Sequence, residues 1–208
     1  KCNVGSSATA NDSYRFKTYS GDGTLFTFTG VTSGNSTSAT VTSAQAGRQT
    51  VAAAGTVTVT KDSTSPSYAL IGSGATGVIA GVANFKPSNE AVNLAKVGLT
   101  LTNGTYTGAS GAQDIVRAYI YNGSTLVGTA SFTGNATTAT STLLSTVSLP
   151  KDVETKLTIK IDAATLGTSP NGTPGDLIKV DILNFEGSGA QSGTTVMGGT
   201  STGLTAVA

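Results

Sequence analysis

The sequence predicts an all-β protein, an antiparallel β-sandwich preceded by an additional N-terminal β-rich segment. Three observations predict it. Thr and Ser supply 60 of the 208 residues, and Thr, being β-branched, suits a half-buried pleated surface. Apolar residues alternate at a period of two over many short runs, with no sustained helical period. Clusters of Gly, Asn, Asp and Pro separate those runs at the spacing of turns.

Residues 1–13 (KCNVGSSATANDS) are small and polar and read as an extended arm. Two aromatic alternating runs follow. Tyr14 and Phe16 share a face of Tyr14–Tyr19, and Phe26 and Phe28 share a face of Thr24–Thr29. The intervening SGDG, with Gly21 and Gly23 able to take positive φ, predicts a hairpin that pairs the two runs. Thr/Val alternations at Ser38–Thr42 and Gly55–Thr60 complete a first region, residues 1–60, with Val57 and Val59 on one face. Lys61–Ser67 (KDSTSPS) has nothing to bury and contains Pro66, so a connector is expected at 61–67.

Regular strand signals fill the second region, residues 68–208. Gly77–Phe85 is apolar, and Val92–Thr102 turns Val97, Leu99 and Leu101 inward. Ile115–Tyr121 places Val116, Ala118 and Ile120 on one face, and Asn122-Gly123 then signals a turn into Leu126–Phe132. Thr138–Leu149 follows, then Lys156–Ile161 with Leu157, Ile159 and Ile161 inward. Asp176–Phe185 carries Ile178, Val180 and Ile182, and Thr194–Met197 and Leu204–Val207 close the chain. Ala163–Leu166 has room for one helical turn.

Composition narrows the function classes. Asp, Glu, Lys and Arg total 23 and His is absent, so groups that move protons near neutral pH are scarce. A Ser-His-Asp system has no imidazole, and Cys2, the one cysteine, has no imidazole partner either. Cys2 excludes a disulfide within the chain; it reads as a small strand residue or an accidental thiol, with an intermolecular bridge or lipid attachment as the alternatives. Lys1 ahead of it argues against a processed lipoprotein terminus. The pairs Asp176 with Asp181 and Asp152 with Glu154 read as solvent-facing strand or turn residues rather than the paired acids of a glycosidase. No enzyme activity is expected. The net charge of +1 is spread without a basic stripe, so neither nucleic acid nor an anionic lipid surface is an expected partner. No apolar run reaches the ~18 residues of a membrane span. The absence of an initiating Met suggests a mature product or an excerpt, with any export signal already gone.

The run RAYIYNGSTLVGTASFTGNATT (Arg117–Thr138) and then SLPKDVETKLTIKID (Ser148–Asp162) resemble bacterial immunoglobulin-like surface repeats. Such repeats show a strand ending in an aromatic-Asx-Gly turn, a strand with Leu/Val-Gly-Thr-Ala, then a Leu-Pro turn and a further strand. The stretch VTVTKDSTSPSYALIGSGATGVIAGVANF resembles the junctions of Thr-rich surface proteins, surface-layer and filament subunits among them. The resemblance covers residues 57–208 and implies a Greek-key, immunoglobulin-like sandwich in an extracellular, cell-surface location. It carries no catalytic residues to transfer.

Candidate sites follow from these readings. Asn11, Asn35, Asn103, Asn122, Asn135 and Asn171 stand in Asn-x-Ser/Thr sequons. The eleven Asn and 60 Ser/Thr of the chain give about three by chance. Most lie in expected turns, where a covalent glycan would project freely, although the Thr-Pro after Asn171 weakens that one. No cofactor is expected. Ca²⁺ would need oxygen ligands grouped from loop residues such as Asp12, Asp22 and Asp62, which otherwise read as Asx-type turn caps. A Lys–Asn covalent cross-link, known in surface immunoglobulin-like domains, would need a buried Lys, Asn and a carboxylate together. Lys86, Lys96, Lys156, Lys160 and Lys179 sit near strands, but sequence does not say what each meets.

A nearly neutral surface favours self-association unless glycans or ordered packing intervene. Residues 1–60 supply about four strands, too few for a closed core. They therefore join the larger domain's sheets or take a strand from elsewhere. The expected partner is the chain itself, in a filament, pilus-like fibre or surface array, joined at sheet edges or by donor-strand complementation. The candidate donors are Val4, Ala8 and Ala10 near the start, and Leu204 and Ala206 near the end. An adhesin or stalk module of a longer surface protein is the alternative, and a carbohydrate-binding module is a third, disfavoured by the absence of Trp.

Overall fold

The computed structural model describes residues 8–19, 26–38, 40–67, 69–101, 114–133, 136–166, 174–175 and 178–199. The chain forms two compact units, residues 1–53 and 54–208. Every paired strand is antiparallel, and the described residues contain no helix, including Ala163–Leu166.

The first unit is a nested ribbon of short strands. β1 (Ser13–Tyr14) pairs with β6 (Gln49–Thr50), β2 (Lys17–Thr18) with β5 (Ala44–Gln45), and β3 (Thr27–Thr29) with β4 (Ser36–Ser38). The expected hairpin between Tyr14–Tyr19 and Thr24–Thr29 is therefore corrected: the first run pairs with residues 44–50. A tight turn immediately after β3 explains this. The Gly30 and Asn35 backbones bond across it, Gly34 N–H returns to Gly30 O, and Gly34 holds φ 67°. β4 thereby occupies β3. The SGDG segment lies outside the described residues.

The second unit is a two-layer sandwich built from β7 (Thr56–Lys61), β8 (Val78–Ser88), β9 (Val92–Leu101), β10 (Ile115–Asn122), β11 (Thr125–Ala130), β12 (Thr138–Leu149), β13 (Thr155–Ala163), β14 (Val180–Gly189) and β15 (Thr195–Gly199). One sheet runs β11-β10-β13-β8-β7 and the other β12-β9-β14-β15. Alternate residues of each strand face inward, so Phe85, Leu94, Val97, Leu99, Ile120, Leu149, Leu157, Ile159 and Ile182 are fully enclosed in one core. Phe85 of one sheet meets Phe185 of the other edge to face, with centroids 6.0 Å apart.

Two expectations are altered here. Val57 and Val59 face the core as read, but β7 is the edge strand of the five-stranded sheet, paired with β8 from Thr56↔Ser88 to Lys61↔Ala83. The unit boundary therefore falls at Ala53/Ala54. Lys61–Ser67 turns within the second unit, because Asp62 N–H bonds Val82 O and Val82 N–H bonds Ser65 Oγ. Ala118 and Ile120 are buried as read, whereas Val116 is exposed. A bulge between Ile115 and Arg117 against β13 shifts the alternation, and Ile115 takes the inward place. The Asn122-Gly123 signal is realised as a two-residue loop, with Asn122 opposite Thr125 and Gly123 at φ 60°.

Candidate functional site

Three features stand out in the described residues: two buried carboxylates and an uncovered aromatic ribbon. The first carboxylate, Glu90, lies between β8 and β9 and is almost fully enclosed. Its Oε1 accepts from Gly55 N–H at 3.0 Å and the Ser192 hydroxyl at 2.6 Å, and its Oε2 from Gln191 and Ser192 N–H, both at 2.9 Å. Asn89, held at φ 69°, adds a bond from Nδ2 to Ala54 O. One side chain thus ties the entry of β7 to the β14–β15 turn. Burial pulls the Glu90 carboxyl upward, but the Ser192 hydroxyl and the Ser192, Gln191 and Gly55 amides outweigh it and hold it below its usual range.

Asp62, the second carboxylate, sits just past β7 on the outer face of the five-stranded sheet. Its Oδ1 accepts from Thr64 N–H at 2.8 Å, the Asx-type turn cap read from the sequence, and from the Thr64 hydroxyl at 2.5 Å. Oδ2 accepts from Asn84 Nδ2 and meets Lys156 Nζ, each at 2.9 Å. The Thr64 hydroxyl first, then Lys156, the Thr64 amide and Asn84, drive its pKa far below the ordinary value of 3.8. Asn84 stands between Thr60 of β7 and Lys156 of β13 in the ladder, with Ala83 and Phe85 on either side in the core. On the same face Tyr119 donates to Asp162 at 2.7 Å, which raises the phenol's pKa, and Lys160 lies over the Tyr121 ring at 4.6 Å.

The ribbon carries the third feature. None of its described residues is buried, and Tyr14, Phe16, Tyr19, Phe26 and Phe28 leave roughly half of their surfaces open. Its described side chains make exposed polar contacts, among them Arg15 to Gln45 Oε1 at 2.6 Å, Thr18 Oγ1 to Thr42 O at 3.2 Å, and Lys17 Nζ at 4.2 Å from the Tyr19 ring centroid.

The remaining candidates are dispersed. Asn11, at φ 72°, and Asn35 are exposed in ribbon turns, and Asn122 is half-buried at the end of β10. Asn103, Asn135 and Asn171 lie outside the described residues, as do Val4, Leu204 and Ala206. Ala8 and Ala10 precede β1 and belong to no strand. Asp22 and Asp176 lie outside the described residues. Asp12 is exposed and Asp62 is engaged as above; among the described residues no three His, Cys, Asp or Glu gather as metal ligands. Lys86 faces Glu154 at 4.0 Å, Lys96 faces Glu186 at 3.0 Å, and Lys179 faces Asp181 at 3.8 Å.

Neither Glu90 nor the meeting of Asp62, Asn84 and Lys156 is evident in the sequence as a site. A faint signal existed for Asn84, the one amide in the otherwise apolar run Gly77–Phe85. The geometry defines a class: an all-β protein whose larger unit is a closed, two-sheet antiparallel sandwich. No family model, characterised protein or solved structure matches the chain.

Proposed function

We propose that this chain is a structural subunit of an extracellular filament, pilus-like fibre or surface array, and that its copies associate through the N-terminal ribbon. The observation that carries the reading is the contrast between the two units. The sandwich encloses its own core, whereas the ribbon presents five half-open aromatic side chains and buries none of its described residues. Aromatic side chains bury about 150–250 Å² each when enclosed. Half of that from five rings is roughly 500 Å² of apolar surface, a large part of the ~800 Å² that each partner contributes to a standard interface. Covalent glycans at Asn11 and Asn35 would cover the ribbon's turns without touching a core.

The strand order supports an immunoglobulin-like version of the sandwich. β7-β8-β13-β10 facing β9-β14-β15 corresponds to the A-B-E-D and C-F-G sheets of a seven-stranded immunoglobulin domain, with β11 and β12 as added edges. The same self-contained unit favours a second reading, a stalk or adhesin module repeated along a longer surface chain.

Sedimentation velocity and negative-stain images of the full chain, beside a Phe16→Ser/Phe28→Ser double variant, test the proposal. Concentration-dependent association that the double variant loses is the expected result. A strictly monomeric wild-type chain at every concentration overturns it.

A further inference from the structure

We propose that the N-terminal ribbon of one copy docks on the outer face of the five-stranded sheet of the next, so that copies join head to tail. The inference rests on the assembly reading and names the surface that receives the ribbon. Tyr119 and Tyr121 project outward from β10, alternating with the enclosed Ala118 and Ile120. Leu126 of β11 is the ladder partner of Tyr121, and Lys160 of β13 pairs with Tyr119 on one side and with Ile79 of β8 on the other. Both tyrosines are partly open, and Ile79 and Leu126 are exposed.

The other sheet is different. Its middle rows join Thr140, Gly98 and Asn184, then Thr142, Lys96 and Glu186. Neither row holds a large apolar side chain, and the exposed Leu144 and Met197 stand on the edge strands β12 and β15. Single open apolar residues need no explanation, but four gathered on one face of a sheet do.

The patch is built to receive a partner. The Tyr119 hydroxyl donates to Asp162 at 2.7 Å, and Lys160 Nζ lies 4.6 Å from the Tyr121 ring centroid. Both rings are therefore held before docking, which lowers the ordering cost of a contact. An apolar centre bordered by Arg117, Thr158 and Lys160 also matches the usual anatomy of an interface, apolar within and polar at the rim. The roughly 500 Å² of open ribbon surface needs such a counterpart, because a purely polar face would lose its water without compensation.

Symmetry requires the contact to be of this kind. A ribbon meeting a ribbon is isologous: both copies spend the same rings, and assembly closes at a dimer. A fibre or array needs a heterologous contact, in which each copy keeps one donor and one acceptor surface. Charge points the same way. Residues 1–53 carry Lys1, Arg15, Lys17 and Arg48 against Asp12 and Asp22, a net +2, and the whole chain carries +1, so residues 54–208 carry −1. Two ribbons repel each other, whereas a ribbon and a sandwich attract. On the patch itself Arg117 and Lys160 stand beside Asp162, so the steering comes from the units as wholes and the holding from the rings.

Mixing two full-length variants in sedimentation velocity tests the proposal. Phe16→Ser/Phe28→Ser removes the donor and keeps the face, whereas Ile79→Lys/Tyr121→Thr removes the face and keeps the donor; thermal melts verify that both are folded. The expected result is that each variant alone is monomeric and that an equimolar mixture forms a one-to-one dimer and nothing larger. A face variant that associates as wild type does overturns the docking face and leaves the assembly reading intact, as does a wild type that stops at dimers. A wild type that is monomeric at every concentration ends both. Should the face variant not fold, a fluorescently labelled ribbon variant added in excess to wild type decides. Label that sediments with wild type and shortens its assemblies supports the proposal, and label that stays monomeric beside associated wild type overturns it.

Discussion

Replacing Glu90 by Gln tests whether one buried carboxylate holds the entry of β7 to the β14–β15 turn. The substitution keeps the shape and exchanges one acceptor oxygen for an NH₂ group. Its better orientation keeps oxygen toward the Gln191 and Ser192 amides and turns nitrogen toward Gly55. Gly55 N–H then loses its acceptor, and the Ser192 hydroxyl must reverse to accept. One buried orphaned N–H costs about 1–3 kcal/mol. The two surviving bonds fall from charge-assisted to neutral strength, a loss of ~1 kcal/mol each. The expected destabilisation is about 3–5 kcal/mol, a large fraction of the ~5–15 kcal/mol that holds a typical domain folded. Urea unfolding of the full chain, followed by far-ultraviolet circular dichroism, reads it directly. The pH dependence supplies a second check. Glu90 is held below its ordinary value of 4.5 in the folded state, so its contribution is complete above that value and is lost as pH falls through the folded pKa. The gap between wild type and E90Q must narrow on acidification. A variant within 0.5 kcal/mol of wild type at pH ~7, or a gap that does not change with pH, refutes the reasoning.

Further outcomes follow from the same geometry. Ile159→Ala empties a fully enclosed position in β13 and is expected to lower stability by about 2–5 kcal/mol in the same assay. Lys86→Ala breaks an exposed pair 4.0 Å long and is expected to change stability by less than ~0.5 kcal/mol. Asp62→Asn removes a carboxylate whose folded pKa is depressed. Wild type should exceed the variant above the ordinary value of 3.8, and the advantage should vanish only in strong acid, as thermal melts across that range would record.

The sandwich was legible because its strands are long enough for a two-residue period to show. Leu157, Ile159 and Ile161 alternate with Thr158 and Lys160, and all three are enclosed. Val116 was misread for a local reason: the bulge at Ile115/Arg117 is a backbone event that side-chain alternation does not report. The ribbon pairing was misread because residues 14–19 and 24–29 share their pattern with any partner strand. The choice was decided by the Gly30–Asn35 turn, which carries only one positive-φ glycine as a signal. The Lys61–Ser67 stretch looked like a connector because its polarity was counted without its partners. Asp62 and Ser65 are buried through bonds to Asn84 and the Val82 backbone, contacts across about twenty residues that composition cannot contain. Glu90 shows the same limit: its acceptor role depends on Gly55 and on residues 191–192, far from it along the chain.

Where copies would join is decided by which edges are open, and the sandwich protects two of its own. β12, an edge strand, runs from Thr142 opposite Lys96 to Val147 opposite Leu94, so four residues bulge against one on β9. That distortion disrupts the flat edge a neighbouring strand needs. β15 has only five residues and ends at Gly198 and Gly199, the latter at φ 98°, which leaves little length for a further ladder. Its exposed Met197 is the residue a partner strand would cover. The ribbon's strands are shorter still, at two or three residues, so it is its open aromatic surface that sets it apart. Met197→Lys places a charge on the β15 edge and should leave association unchanged in sedimentation velocity, whereas Phe16→Ser/Phe28→Ser should abolish it. The opposite pattern would move the junction from the ribbon to the sandwich edge, and with it the reason for the ribbon's uncovered rings.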